Sequence, residues 1–229
     1  VTECRSRNVA TRRFVNIGII SSVAAAATAV APSFAETTAA IDLPPPATNG
    51  GKSLMQALQS RRSIRDYSDR ALPNEVLSNL LWAAWGVNRP ETDGRTAPHW
   101  HNAYALDIYL TRADGVWVYA PKGHRIVFHM NGDLRAQTTT GQPFVGAAPL
   151  NLVYAVDLAK LTPASDGEKA IAAAACAAVV AQNVYLYCAS AGLATVLRQS
   201  VPGAALAKTL QLQPSQIIQF AQTVGYPKA

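Results

Sequence analysis

GEKAIAAAACAAVVAQNVYLYCASA, residues 167–191, is rich in alanine and free of proline, and its reading decides the fold. Alanine is the strongest helix former and proline the strongest breaker, so the run predicts one long helix from Gly167 to Ala191. Gly192 then stands where a C-cap belongs. The helix is apolar almost all round, which predicts a central core helix. Upstream, LNLVYAV (150–156) is a nearly unbroken apolar run, consistent with a buried central strand. Working outward, Tyr104–Leu110 and Val116–Tyr119 read as strands joined by the turn Ala113-Asp114-Gly115. Arg125–His129 alternates as a third strand. Ala194–Leu197 and Ile217–Val224 read as further strands, separated by a helix near Gly203–Leu210. Ser53 caps a short helix carrying Leu54, Met55 and Leu58. Pro73 opens another, with Val76, Leu77, Leu80, Leu81, Ala84 and Trp85 at helical spacing and Gly86 near its end. Residues 87–103 read as a long polar loop. Helices and antiparallel strands mix without a βαβ rhythm, so the expected class is α+β.

The chain has 229 residues, 49% hydrophobic and 15% charged, with three cysteines. That suits one globular domain and excludes a disordered chain or a disulfide-built scaffold. Cys176 and Cys188 are twelve residues apart on the long helix. A rise of ~1.5 Å per residue puts them about 18 Å apart, beyond disulfide reach. The net charge of +6 is unevenly spread: residues 1–35 hold Arg5, Arg7, Arg12 and Arg13 against Glu3, half of the excess. An apolar run from Ile17 to Ala31 follows, then Pro32-Ser33-Phe34-Ala35 with its small residues. Residues 1–35 therefore read as a secretory signal peptide carrying Cys4 away with it, the alternative being an uncleaved anchor helix. Arg12-Arg13 leans toward the twin-arginine route over Sec. Pro44-Pro45-Pro46 and Asn49-Gly50-Gly51 make residues 36–52 a linker, and residues 53–229 the domain.

Arg61-Arg62-Ser63-x-Arg65 gathers three guanidiniums and a hydroxyl, donors that suit a phosphate monoester. The other reading is a solvated basic turn that offsets Asp66 and Asp69. His99-Trp100-His101 reads either as two metal ligands or as loop histidines at a pocket mouth. No carboxylate or cysteine cluster accompanies them, so no metal site is expected. Gln182-Asn183, inside an apolar helix, call for buried partners. Hydrolase elbows, Walker loops and G-x-G-x-x-G fingerprints are missing from the sequence. A mature charge of +3 without an aromatic-basic stripe argues against a nucleic-acid partner.

Taken in order, these segments resemble the FMN-dependent nitroreductase superfamily, most closely its SagB/ThcOx-type dehydrogenase branch. The matching pieces are Arg61-Arg62-Ser63-Ile64-Arg65-Asp66-Tyr67, Leu80 through Arg89, and Arg95-Thr96-Ala97-Pro98 with Asn102. Ala147-Ala148-Pro149, Gln182-Asn183, Ala191-Gly192-Leu193 and Val224-Gly225-Tyr226-Pro227-Lys228 complete the series. The likeness spans residues 53–229. It implies an antiparallel sheet packed against helices, and an intertwined homodimer with FMN at the subunit interface. By this likeness Arg61, Arg62, Ser63 and Arg65 hold the phosphate and ribityl chain, and Lys228 stands near the phosphate. Gly192 and Leu193 approach the flavin ring through their backbone, and Pro98 and Asn102 line the flavin pocket. Where the family has a Ser-rich turn after Ala-Pro, this chain has His99-Trp100-His101, so the substrate face differs.

The resemblance implies an FMN-dependent oxidoreductase, and the leader implies that it is exported to the periplasm; a non-functional leader would leave it in the cytoplasm. Hydride passes in ping-pong order through flavin N5 to a small oxidised molecule such as a quinone or nitroaromatic. NAD(P)H is the family's usual donor. Orientation and electrostatics carry such a reaction, so no catalytic acid or base is expected, and Arg198 is the candidate cation beside the flavin N1–C2 carbonyl. An FMN-binding protein without turnover and a peptide-azoline dehydrogenase are the alternatives.

Overall fold

In the computed structural model, which describes residues 39–228, the strand signals join into one seven-stranded sheet. The strands in chain order are β1 (Ala40–Asp42), β2 (Val87–Arg89), β3 (Gly94–Arg95), β4 (Leu106–Arg112), β5 (Gly115–Ala120), β6 (Arg125–Met130), β7 (Leu150–Asp157), β8 (Ala194–Arg198) and β9 (Gln216–Gly225). The sheet runs β1-β6-β5-β4-β7-β9-β8 with every neighbouring pair antiparallel, and β2 and β3 form a separate ribbon. The helices are α1 (Leu54–Ser60), α2 (Asn74–Trp85), α3 (Phe144–Ala147), α4 (Asp166–Ala191) and α5 (Gly203–Thr209). The fold is α+β, as expected.

β7 shows why its sequence lacks alternation. Side chains on a strand point alternately to opposite faces, and both faces of β7 are covered. Leu150, Leu152, Tyr154 and Val156 enter the main core with α2 and α4, while Val153 and Ala155 enter a second core closed by Leu206 and Leu210 around α5. The one polar residue within that run, Asn151, is buried as well.

α4 is entered through a reciprocal cap between Ser165 and Glu168, and Gly192 leaves it at φ 70, a left-handed conformation that favours glycine. Its buried residues, Ala172, Ala173, Cys176, Ala177, Val180, Ala181, Val184, Tyr185 and Cys188, recur at three- and four-residue steps and form one stripe against the sheet. The opposite face stays open, with Ile171 71% exposed, so α4 is a core helix on one side only. Cys176 and Cys188 are buried free thiols, and Cys4 lies outside the described residues. α2 buries Leu77, Leu80, Leu81, Ala84 and Trp85 and ends at Gly86, where a Cβ would stand 2.6 Å from the Trp82 carbonyl. α1 carries its expected Ser53 cap but buries only Ala57. Leu54, Met55 and Leu58 are 63%, 73% and 45% exposed.

Two stretches differ from expectation. The Pro/Gly-rich residues 36–52 contain β1, which pairs with β6 through Ala40–Val127, Ile41–Ile126 and Asp42–Arg125. Leu43 is buried beyond it, and its N–H donates to the His124 carbonyl at 3.1 Å. Residues 87–103 form the β2–β3 ribbon and two short 3-10 turns instead of a plain loop. Trp82 Nε1 donating to the Val87 carbonyl at 3.2 Å and Thr96 N–H donating to Gly86 at 3.0 Å tie the ribbon to α2.

Candidate functional site

Arg61 closes α1, its N–H donating to Ala57 at 2.8 Å, and the chain then runs extended between β8 and the C-terminal residues. Ile64 N–H donates to the Thr195 carbonyl at 3.0 Å, Ser68 N–H to Tyr226 at 2.9 Å and Lys228 N–H to Asp66 at 3.3 Å. Tyr67 is buried beneath, bridged to Pro227, and its hydroxyl donates to the Ile64 carbonyl at 2.6 Å. Burial pushes that phenol above its ordinary pKa, so it stays a donor. Ser63 Oγ lies 2.7 Å from Tyr185 Oη, which also accepts the Leu197 N–H at 2.9 Å, and the Arg61 guanidinium sits 5.2 Å from the Tyr185 ring centroid.

Arg62, Ser63 and Arg65 are exposed along this extended stretch, Lys228 is exposed beside it through its backbone bond to Asp66, and Arg61 is half-buried. Among the described residues, none of Arg61, Arg62, Arg65 and Lys228 has a carboxylate within 4.0 Å. Asp66 and Asp69 therefore form no ion pair with these arginines. Gly192 and Leu193 stand at the adjoining end of α4. Both N–H groups donate to Cys188. What this end offers a ligand is open space at the Gly192 Cα, where a Cβ would meet no atom within 4 Å.

Pro98 and Asn102 lie elsewhere. With Asn88, Arg89, Arg95 and His99 they line a cavity of about 390 Å³ along the ribbon. Pro98, His99 and Trp100 also form one wall of a slot of about 160 Å³ against Ala172, Cys176 and Val179 of α4. Arg95 is 7% exposed, bonded to Asp93 at 3.2 Å and placed 5.8 Å from the Trp85 ring and 5.1 Å from the Tyr104 ring. Burial first, then the nearby Arg95 and Arg89, lower the His99 pKa and keep its ring neutral near pH 7. Arg95 Nε and Nη1, His99 Nε2 and Trp100 Nε1 are buried without a partner. His101 packs edge-on against Trp100 with 4.7 Å between centroids and has a left-handed φ of 41.

One chain therefore brings seven of the nine expected cofactor residues together and leaves two apart. Asn183 Nδ2 donates to Thr96 at 3.3 Å on one flank of α4, while Tyr185 meets Ser63 two residues on. At 3.6 residues per turn those positions are about 200° apart around the helix. The slot at Cys176 lies sixteen residues from Gly192, about 24 Å along the axis at ~1.5 Å per residue. Gln182, expected to need a buried partner, is exposed to solvent, and only Asn183 turns inward.

Arg198 is a second correction. It is 4% exposed and spends its donors inside the fold: Nε on Thr223 Oγ1 at 3.1 Å, Nη1 on the Thr138 carbonyl at 2.6 Å, and Nη2 on Thr138 Oγ1 and Asn151 Oδ1, each at 3.2 Å. A guanidinium so engaged is a structural cation and is not open to a cofactor carbonyl. Sequence reasoning also passed over Tyr185, whose role comes from Ser63, distant in the chain, and it quoted Arg95 only as part of a motif, without its burial.

The nitroreductase family pattern matches residues 58–226. A protein of Methanocaldococcus jannaschii named as a nitroreductase is 34% identical over 152 residues, covering 62% of this chain and 76% of its own length. A crystal structure from Ralstonia eutropha, also named as a nitroreductase, has a TM-score of 0.79 and 37% identity over 83% of this chain and 90% of that one. Another, from Desulfovibrio desulfuricans and in complex with FMN, has a TM-score of 0.56 and 22% identity over 79% and 89%, a likeness of fold alone. With that pattern running from α1 to the last strand and a sheet order built as described, the chain belongs to the nitroreductase family of oxidoreductases.

Proposed function

We propose that this chain is an FMN-dependent oxidoreductase that works as a homodimer on a small oxidised organic molecule such as a quinone or nitroaromatic. The observation that carries the reading is the surface formed by Arg61, Arg62, Arg65 and Lys228, four cations without a carboxylate partner among the described residues. These residues fit the cofactor: guanidiniums offer paired N–H donors to phosphate oxygens, and Lys228 adds a point charge. Ser63, held by Tyr185, orients the ribityl side, and the exposed Cα of Gly192 lets a flat ring approach the end of α4. Bound FMN supplies hydride exchange at N5, first with a donor and then with the substrate. The protein's part is positioning and charge, and no side chain need carry a proton.

Two features support the dimer. Pro98 and Asn102 lie on the far flank of α4 from the cation surface, so a second copy would supply them to one cofactor. The apolar face of α1 is also left open in the single chain. Replacing Met55 and Leu58 together by lysine is expected to convert the protein to monomer in sedimentation at micromolar concentration and to weaken FMN binding at least tenfold. A dimer unchanged by both substitutions removes α1 from the interface.

The closer affiliation with the SagB/ThcOx-type branch rests on the Arg95-Thr96-Ala97-Pro98 and Leu80–Arg89 stretches. Export to the periplasm rests on the basic, apolar and small-residue succession of residues 1–35. α4, the one described helix long and apolar enough to span a bilayer, packs its buried stripe on the sheet, so the mature domain is read as having no membrane span. NAD(P)H is the donor to try first. Purified protein is expected to be yellow, with absorbance near ~450 nm that bleaches on anaerobic titration with NADH, NADPH or dithionite and returns with a quinone. A colourless protein that cannot be loaded with FMN would sink this reading. Loaded protein that never turns over leaves only a binding module.

A further inference from the structure

The wall of the ribbon cavity holds two guanidiniums, Arg89 and Arg95, and no carboxylate. Arg89 is exposed, and its side-chain contact among the described residues is a long one, Nη2 to the Arg95 carbonyl at 3.5 Å. Arg95 is more than nine-tenths buried. Among the described residues its one ion-pair partner, Asp93, is shared with Lys122 at 3.2 Å, and its Nε and Nη1 have no acceptor. A buried cation with spare donors is costly until something accepts from it. His99 lines the same cavity with Nε2 also lacking a partner, and the two arginines help keep that ring neutral. Directly beyond Pro98 and His99 the wall turns apolar, in the slot between Trp100 and Ala172, Cys176 and Val179. An anionic end and a flat apolar end are thus accommodated side by side, at the His99-Trp100-His101 turn.

From this arrangement we infer that the ribbon pocket binds the carboxylate of an aromatic acid, with Arg89 and Arg95 meeting the carboxylate and the slot beside Trp100 taking the ring. A planar carboxylate matches the guanidinium fork in two parallel hydrogen bonds, which favours it over a neutral amide of the same shape. That this acid is the substrate of a flavin enzyme rests on the proposed function, through Pro98 and Asn102. Carboxylate binding itself rests on the pocket alone.

Calorimetric titration of full-length protein with benzoate and with benzamide, with and without saturating FMN, separates the two claims. Benzoate is expected to bind at least tenfold tighter than benzamide in both conditions, and Arg89→Ala, an exposed position, to bring that ratio below two. In turnover, kcat/KM for 4-nitrobenzoate over 4-nitrobenzamide is expected to fall in parallel, with KM carrying the change. Equal binding of acid and amide, no binding of either, or a preference that survives both Arg89→Ala and Arg95→Met overturns the inference. Benzoate displaced by FMN but not by riboflavin also overturns it, since the guanidiniums then serve the cofactor phosphate. A protein that takes no flavin but keeps the benzoate preference retains the pocket and refutes the proposed function.

Discussion

Arg198→Ala is expected to destabilise the fold by about 3–5 kcal/mol. The Thr138 carbonyl loses its 2.6 Å donor and is left buried without one, a cost of ~1–3 kcal/mol. Asn151 Oδ1 keeps the Thr223 hydroxyl at 2.6 Å and Thr138 Oγ1 keeps the Arg135 carbonyl at 2.9 Å, so those two atoms are not orphaned. Truncating a side chain of this length in a closed core adds a cavity term, ~2–5 kcal/mol for comparable deletions. Relief of the buried charge offsets part of the sum, because desolvation already pulls the Arg198 pKa down to about 10. Arg198→Met fills most of the volume and is expected to cost about half as much, through the orphaned carbonyl alone. The check is a shift in the denaturant midpoint at unchanged slope. Two variants as stable as the parent would show that the cluster of Thr138, Asn151, Arg198 and Thr223 is not structural.

Arg61→Ala is expected to weaken FMN binding by about 1.5–3 kcal/mol, the range for a hydrogen bond to a charged group, roughly ten- to 150-fold. The change removes a half-buried side chain from the end of α1 and its contact with the Tyr185 ring, an exposed cation–π interaction worth ~0.5–1 kcal/mol, so the fold should survive. Riboflavin, which lacks the phosphate, provides the control. Its affinity should be the same for parent and variant if Arg61 acts on the phosphate. A loss shared by both flavins would place Arg61 against the ring instead. No loss for either would remove it from the site.

Much of this architecture was legible because its signals are local. Aromatic and aliphatic runs around the Ala113-Asp114-Gly115 turn marked β4 and β5, alternation marked β6, the unbroken run marked β7, and the alanine-rich stretch ending at Gly192 marked α4. What stayed hidden depends on partners far away in the chain. Ala40-Ile41-Asp42 has no pattern of its own and is a strand only because β6 offers it free backbone groups. Gln182 and Asn183 are neighbours in sequence, yet the helical turn sends one outward and the other to Thr96. The nine expected cofactor residues read as one set along the sequence, and α4 divides them into two. Nor does the sequence show how far Arg198 and Arg95 are engaged. One is fully engaged by Thr138, Asn151 and Thr223, whereas the other keeps two donors unspent.

The strap formed by β1 also bears on how far the proposed leader could be trimmed. A sheet ending at β6 would present its open backbone as a template for pairing with another molecule. Three strap residues followed by Pro44-Pro45-Pro46 make a poor template, so this stretch blunts a surface that would otherwise favour aggregation. The proposed cut at Ala35 would leave the strap whole, whereas trimming only eight residues further, to Leu43, would strip it. The tolerance for ragged processing at this end is therefore a few residues. Beyond that, solubility should fail before the proposed cofactor surface is touched.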